Sequence, residues 1–268
     1  MASDKAFQDE IDAFNKLNKK LNNVAVAFQK PAGADAGFPD FGFTVTLPSK
    51  KIDLHIEYKN AHTAQMGSMR DWIFDGQKFY TNDTKSEQKQ ELLTIMNNTS
   101  TAVSNGKRLL DDLRKYFSSE VRSIYSGAMT VIKDNVARKA AAQNFAAKTK
   151  NYQIANIADS SLGDKIIGHY KNKFKKSRKP GRAQGHILIM MIKDEMWYVD
   201  TYGQVTKEDM DILASYLGVN KLNKLNNLVA ALEVRIQPRG LNSAKPASID
   251  VMASYRLKGR PTGGTRVI

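Results

Sequence analysis

Between residues 4 and 22 apolar side chains return every three or four positions, at Phe7, Ile11, Phe14, Leu17 and Leu21. That spacing places them on one stripe of an α-helix, with Ser3 or Asp4 available as its N-cap. The apolar run VAVAF (24–28) predicts a short strand, and the loop behind it is punctuated by Pro31, Gly33 and Gly37. The period then drops to two. Phe41, Phe43, Val45 and Leu47 alternate with Asp40, Gly42, Thr44 and Thr46. After Pro48-Ser49-Lys50-Lys51, residues Ile52, Leu54, Ile56 and Tyr58 alternate with Asp53, His55, Glu57 and Lys59. Two strands follow, each with one apolar and one polar face, joined as a hairpin.

From about 60 to 150 the pattern predicts mostly helix: an amphipathic piece around Met66, Met69, Ile73 and Phe74, then 86–98, 107–118 and 121–150. Beyond it, 185–192, 195–201, 232–238 and 248–257 predict strands around a helix near 206–217. Residues 258–268, with glycines and a proline, predict a loose basic tail. The fold class is therefore α/β, a single domain over 1–268. Its core covers 4–80, a helical insertion about 86–150 and a β-rich part about 151–257.

A register follows from the two faces of the hairpin. A four-residue turn at 48–51 sets Leu47 against Ile52, Phe43 against Ile56 and Phe41 against Tyr58, so the apolar faces coincide. On the other face Gly42 falls opposite Glu57 and leaves open space before it, while Asp40 falls opposite Lys59. Asp40 and Glu57 are then diagonal neighbours, about 7–8 Å apart along the backbone, with side chains able to converge. Asp35, in the Gly-rich loop, competes with Asp40 for the same place. Two carboxylates in one volume suit a hard divalent ion, which takes oxygen ligands and few protein carboxylates. Such an ion polarises a phosphodiester and lowers the pKa of an attacking water, and a lysine beside it stabilises phosphate charge.

Charge then narrows the partner. Lys and Arg number 41 against 27 Asp and Glu, a formal net charge of +14, and the pI is about 9.7. Such an excess favours a polyanion, with nucleic acid first and an anionic membrane surface second. The membrane reading is weakened by a mean hydropathy of −0.47 and by the lack of any apolar run near the roughly 20 residues a span needs. The chain has no cysteine, which excludes a disulfide scaffold, a thiolate zinc site and a cysteine nucleophile. Residues 1–14 lack the apolar core of a signal peptide, so a cytoplasmic location is expected. No acid lies between Asp164 and Asp194, and within that gap Lys171, Lys173, Lys175, Lys176, Arg178, Lys179 and Arg182 crowd into one segment. That segment predicts a phosphate-contacting loop or arm. His62, His169 and His186 are scattered without HExxH, and neither GxxxxGK[ST] nor GxSxG occurs, so a zinc hydrolase, an ATPase motor and a serine hydrolase are not supported.

Pro39-Asp40 followed seventeen positions after Asp40 by Glu57-Tyr58-Lys59 resembles the PD-(D/E)XK nucleases, the restriction-endonuclease-like fold. The resemblance covers roughly residues 4–80 and includes the order helix, strand, motif-bearing hairpin, helix. It implies a mixed central sheet flanked by helices and a Mg²⁺-dependent DNA endonuclease of restriction or phage type, with Mn²⁺ as a substitute. Asp40, Glu57 and the carbonyl of Tyr58 would hold the metal, and Lys59 would assist the nucleophile. Auxiliary positions implied by the family are an acid of the first helix, best matched by Glu10, and a Gln in the helix after the motif, matched by Gln65. His55, on the polar face beside Glu57, is a further auxiliary candidate or a structural histidine. DNA is the expected partner, RNA is not excluded, and a homodimer is compatible with the family. Three alternatives stay open: a junction resolvase or exonuclease of the same superfamily, a non-catalytic nucleic-acid-binding protein on this scaffold, and a basic structural or assembly protein.

Overall fold

The structure, a computed structural model, describes residues 4–32, 38–122, 124, 132–148, 153–178, 183–241 and 247–267. Asp35, Lys179 and Arg182 lie outside the described residues. The chain opens with α1 (Asp4–Lys20), β1 (Ala25–Gln29), β2 (Phe41–Thr46), β3 (Lys51–Lys59), β4 (Gln65–Phe74) and β5 (Phe79–Thr81). Helices α2 (Glu87–Asn98), α3 (Ser100–Tyr116) and α4 (Asn135–Lys148) follow, then β6 (Gln153–Ala158) and α5 (Leu162–Ser177). The last part holds β7 (Gly185–Ile192), β8 (Glu195–Gly203), α6 (Lys207–Tyr216), β9 (Ala230–Arg239), β10 (Ser248–Leu257) and β11 (Thr265–Arg266).

This mixed α/β chain divides into two compact units interleaved in sequence: Met1–Ala64, Ser160–Ala230 and Leu257–Ile268 form one, Gln65–Asp159 and Ala231–Arg256 the other. The second contains a five-stranded sheet in the order β5-β4-β10-β9-β6. The first contains a six-stranded sheet, β1-β2-β3-β7-β8-β11, antiparallel throughout except for the parallel pair β3–β7.

Alternation in β2 and β3 gives the first unit its layers. Phe41, Phe43, Val45, Ile52, Leu54 and Ile56 join one buried cluster with Phe14, Leu17 and Leu21 of α1 and Leu213 of α6. Phe14 stacks on Phe43 at 5.3 Å and meets Phe41 edge-on at 5.7 Å. Each such side chain contributes about 1.5–3 kcal/mol by leaving water. The opposite, polar face is covered by α5, where Phe174 packs edge-on against His55 at 5.2 Å. Helices thus line both faces of this sheet.

The hairpin forms with a different register from the expected one. Phe41 pairs with Ile56, Phe43 with Leu54 and Val45 with Ile52, and the Leu47 N–H donates to the Lys50 carbonyl at 2.8 Å. The chain therefore reverses over Pro48 and Ser49 rather than over four residues. A shift of two leaves every side chain on its predicted face, because faces repeat with period two, but it changes the cross-strand partners. Gly42 faces His55, not Glu57, and its open side is filled. A register shift between Ala27 and Gln29 of β1 brings the Phe28 ring over Gly42, where an added Cβ would lie 2.3 Å from ring carbon Cζ. Gly42→Ala should thus cost about 1–3 kcal/mol as the ring is forced aside, read as a lower urea midpoint.

Other expectations are corrected as well. Residues 65–74 are a strand, not a helix. Met66, Trp72 and Phe74 are its fully buried side chains, all at even positions, and β10 supplies the neighbouring strand. Helix in the 121–150 stretch is confined to α4 among the described residues. The basic segment is not a loop at its start: α5 runs to Ser177, so Lys171, Lys173, Lys175 and Lys176 are helical and Arg178 is its C-cap. The tail is docked rather than loose. β11 pairs with β8, Val267 is buried, the Trp197 indole donates to the Thr262 carbonyl at 2.9 Å, and Arg260 Nε donates to Glu195 at 2.8 Å.

Candidate active site

The start of β2 and the end of β3 bring the motif residues together at one end of the hairpin. Asp40 precedes β2, and its Oδ2 accepts the backbone N–H of Tyr58 at 2.8 Å. Glu57 and Lys59, two apart on a strand, share the polar face. Lys59 Nζ donates to Glu57 Oε1 at 2.6 Å and stands 4.0 Å from Asp40 Oδ2. From α5, the Tyr170 hydroxyl donates to Glu57. Both carboxylates thus meet on one ammonium. Tyr58, assigned as a carbonyl donor, lies within the β3–β7 ladder.

Glu10 of α1 adds a third acid to this neighbourhood. Its Oε1 is buried and has no hydrogen-bond partner, and its acidity responds to Asp40, Lys59 and Glu57. Burial first, then the Asp40 charge, pushes the Glu10 carboxyl up to about 7. Burial and then Glu57 push Asp40 up to about 6, against Lys59, the Tyr58 N–H and Lys173. Burial would pull Lys59 down, but Glu57, Tyr170 and Asp40 outweigh it and hold the ammonium above its ordinary range. The Tyr170 hydroxyl is held well above its usual value by burial and by Glu57. Three acids near one half-buried ammonium leave the site short of positive charge, which an oxygen-ligated cation would supply. The acids are not closed into a finished cage. Among the described residues, only Asp53, His55 and His186 bring three donor atoms within 4.8 Å of one another.

This imbalance has a sign that can be measured. A carboxyl whose folded pKa is raised binds its proton more tightly folded than unfolded, so stability is greatest below the unfolded value and falls as pH rises through the folded one. For Asp40 and Glu10 the window runs from about pH 4 to 7. Asp40 keeps 25% of its side chain exposed, so its contribution is discounted to on the order of 1–2 kcal/mol, and that of half-buried Glu10 to less. The buried neutral His169 works in the opposite direction below pH 6.5, so the contribution is read as the difference between wild type and Asp40→Asn in chelator, which should favour wild type more at pH 5 than at pH 8. Asp40→Asn should raise stability at pH 8 and flatten the dependence.

Helix α5 turns two kinds of residue to two sides. Tyr170 and Phe174 are buried, and Lys173 lies over the rings of Tyr170 and Phe38 at 5.6 and 6.0 Å, close enough for its charge to reach Asp40. Lys175 and Lys176 are exposed, while Lys171 and Arg178 are half-buried. The Arg178 guanidinium lies 3.2 Å from the Tyr202 ring centroid. His169 is pushed down to about 4 by burial and by Lys173, so it is neutral at pH 7.

Of the residues singled out in the sequence, Asp40, Glu57, Tyr58, Lys59 and Glu10 come together. Gln65 does not join them, since it opens β4 in the second unit, where it pairs with Arg256 of β10. His55 turns to Asp53 and His186 rather than to Glu57. Tyr170 was missed. Its signal was the i, i+3, i+4 spacing of Tyr170, Lys173 and Phe174, hidden by reading the basic run as a loop. Compared with protein-family models, with curated proteins and with solved structures, the chain matches none of them.

Proposed function

We propose that this chain is a Mg²⁺-dependent deoxyribonuclease that hydrolyses phosphodiester bonds on a restriction-endonuclease-like scaffold, with Mn²⁺ able to substitute. One observation carries the reading: Asp40 and Glu57 meet on Lys59, and Glu10, within electrostatic reach of all three, has a buried carboxylate oxygen without a hydrogen-bond partner. Glu10, Asp40, Glu57 and the Tyr58 carbonyl would hold the ion. When bound, it would lower the pKa of the attacking water and polarise the scissile phosphate.

The remaining work falls to the chain itself. The Tyr58 N–H orients Asp40, and the Tyr170 hydroxyl orients Glu57. Lys59 neutralises Glu57 and is, among the described residues, the one cation within 4.0 Å of both motif acids, placed to stabilise charge on a phosphate. Lys173, beside Asp40, and the exposed Lys175 and Lys176 would track the DNA backbone, with Lys171 and Arg178.

The test is incubation of supercoiled and linear DNA with the purified protein and Mg²⁺ or Mn²⁺. Cleavage that chelation stops is expected, and the linear substrate distinguishes endonuclease from exonuclease action. DNA binding without cleavage under any divalent ion would favour the non-catalytic binding protein instead.

A further inference from the structure

A second cluster of ligating side chains lies deeper on the same sheet face. Asp53 and His186 are directly paired across the parallel β3–β7 ladder, and His55 follows Asp53 by two positions, so all three point to the face that α5 covers. They are 1%, 6% and 2% exposed, in the order Asp53, His186, His55. His55 Nε2 and His186 Nδ1 are 3.3 Å apart, and Asp53 Oδ2 is 3.8 Å from the same Nδ1. The Thr44 hydroxyl donates to the other oxygen, Asp53 Oδ1, at 2.6 Å. Phe28 and Phe174 pack against the His55 ring at 5.3 and 5.2 Å.

We propose that Asp53, His55 and His186 bind a Zn²⁺-type divalent cation, at a site separate from the acids of the hydrolytic centre. The nitrogen–nitrogen spacing is the one such an ion sets. Two imidazole nitrogens held at roughly 2.0–2.1 Å in tetrahedral geometry stand about 3.3–3.4 Å apart. A hydrogen bond between the imidazoles would account for that distance alone. Cross-strand pairing sets the Asp53 carboxylate beside the same nitrogen, 3.8 Å away and beyond hydrogen-bond reach, where it supplies a third donor. A hydroxyl donating to the far oxygen of a ligating carboxylate is the usual outer support of a metal ligand. Two nitrogens and one oxygen select Zn²⁺, Co²⁺ or a similar late first-row ion over Mg²⁺, which takes oxygen. Three protein ligands leave a fourth position for water. The ion would tie β3 to β7 at residues 131 apart in sequence, and so add to folding stability in proportion to the logarithm of its free concentration above Kd.

The experiment uses the full chain carrying Asp40→Asn and Glu57→Gln, so that the two motif acids no longer compete. Titration with Co²⁺ alone, followed by calorimetry and visible absorption, should show one equivalent bound with ligand-field bands of a low-coordinate site. Excess Mg²⁺ should not remove it, and Zn²⁺ should. Adding His186→Ala should weaken Co²⁺ binding by more than about 100-fold. Thr44→Val, which touches only the outer support of Asp53, should weaken it by about 10–100-fold. Absence of Co²⁺ uptake by the double variant would overturn the proposal, as would affinity unchanged by His186→Ala. Should His186→Ala fail to fold, unchanged affinity in folded Thr44→Val would do the same. Neither result bears on the nuclease reading, since the motif acids Asp40 and Glu57 are already replaced.

Discussion

Glu57→Gln should lower Mg²⁺-dependent DNA cleavage by roughly 10²–10³-fold or more, the range seen when one preorganised charge-stabilising group is removed. The fold should survive, because the amide can still accept from Tyr170 and Lys59. DNA binding in chelator should be retained or tightened, since one negative charge facing the phosphate is gone. Asp40→Asn should behave alike. Lys59→Ala is a poorer probe of chemistry than the motif alone would suggest. Glu57 is buried, with 8% of its side chain exposed, and removing its ammonium leaves that charge unpaired at a cost of about 3–5 kcal/mol. The Lys59 variant should therefore lose stability as well as activity, with Mg²⁺ restoring part of the stability but none of the rate. Wild-type cleavage by both Glu57→Gln and Asp40→Asn would remove the proposed centre.

Neutralising Lys171, Lys175 and Lys176 together should flatten the dependence of log K on log salt for duplex DNA by roughly two to three units, at about 0.9 per lost phosphate contact. The loss should be equal across DNA sequences, because such contacts position the duplex without reading it. Lys173 should stand apart. Its charge reaches Asp40, so Lys173→Gln should lower both affinity and cleavage rate at saturating DNA. An unchanged slope in the triple variant would mean that this side of α5 is only a solvated surface.

The strands at 185–192 and 248–257, α1 and α6 were legible because their apolar period agrees with their final environment. The 65–74 strand was not. Met66, Met69, Ile73 and Phe74 fit a helical stripe, and what overrides it is β10, nearly two hundred residues away. The hairpin shows a subtler split. Its faces were readable from alternation alone, whereas its partners depended on how Pro48 and Ser49 turn. Asp40, Glu57 and Lys59 tolerated that error because a slip of two keeps the face. The Asp53-x-His55 spacing was visible in the sequence, but its third member was not. His186 joins only through the β3–β7 pairing, which no local pattern encodes.

The docked tail decides how this sheet can meet another chain. Exposed strand margins are templates for adding a further strand. On the β8 side that template is already consumed: Glu195 and Met196 pair with β11, and beyond them the Tyr198 N–H and carbonyl bond to Asn223 and Leu225. The other margin, β1, is five residues long and interrupted at Phe28, two of the devices that blunt an edge. Residues 258–267 thus act as a stopper on the sheet. A homodimer built by continuing this sheet would therefore find little free strand on the Glu195–Tyr198 stretch of β8 and a short, broken β1 at the other margin.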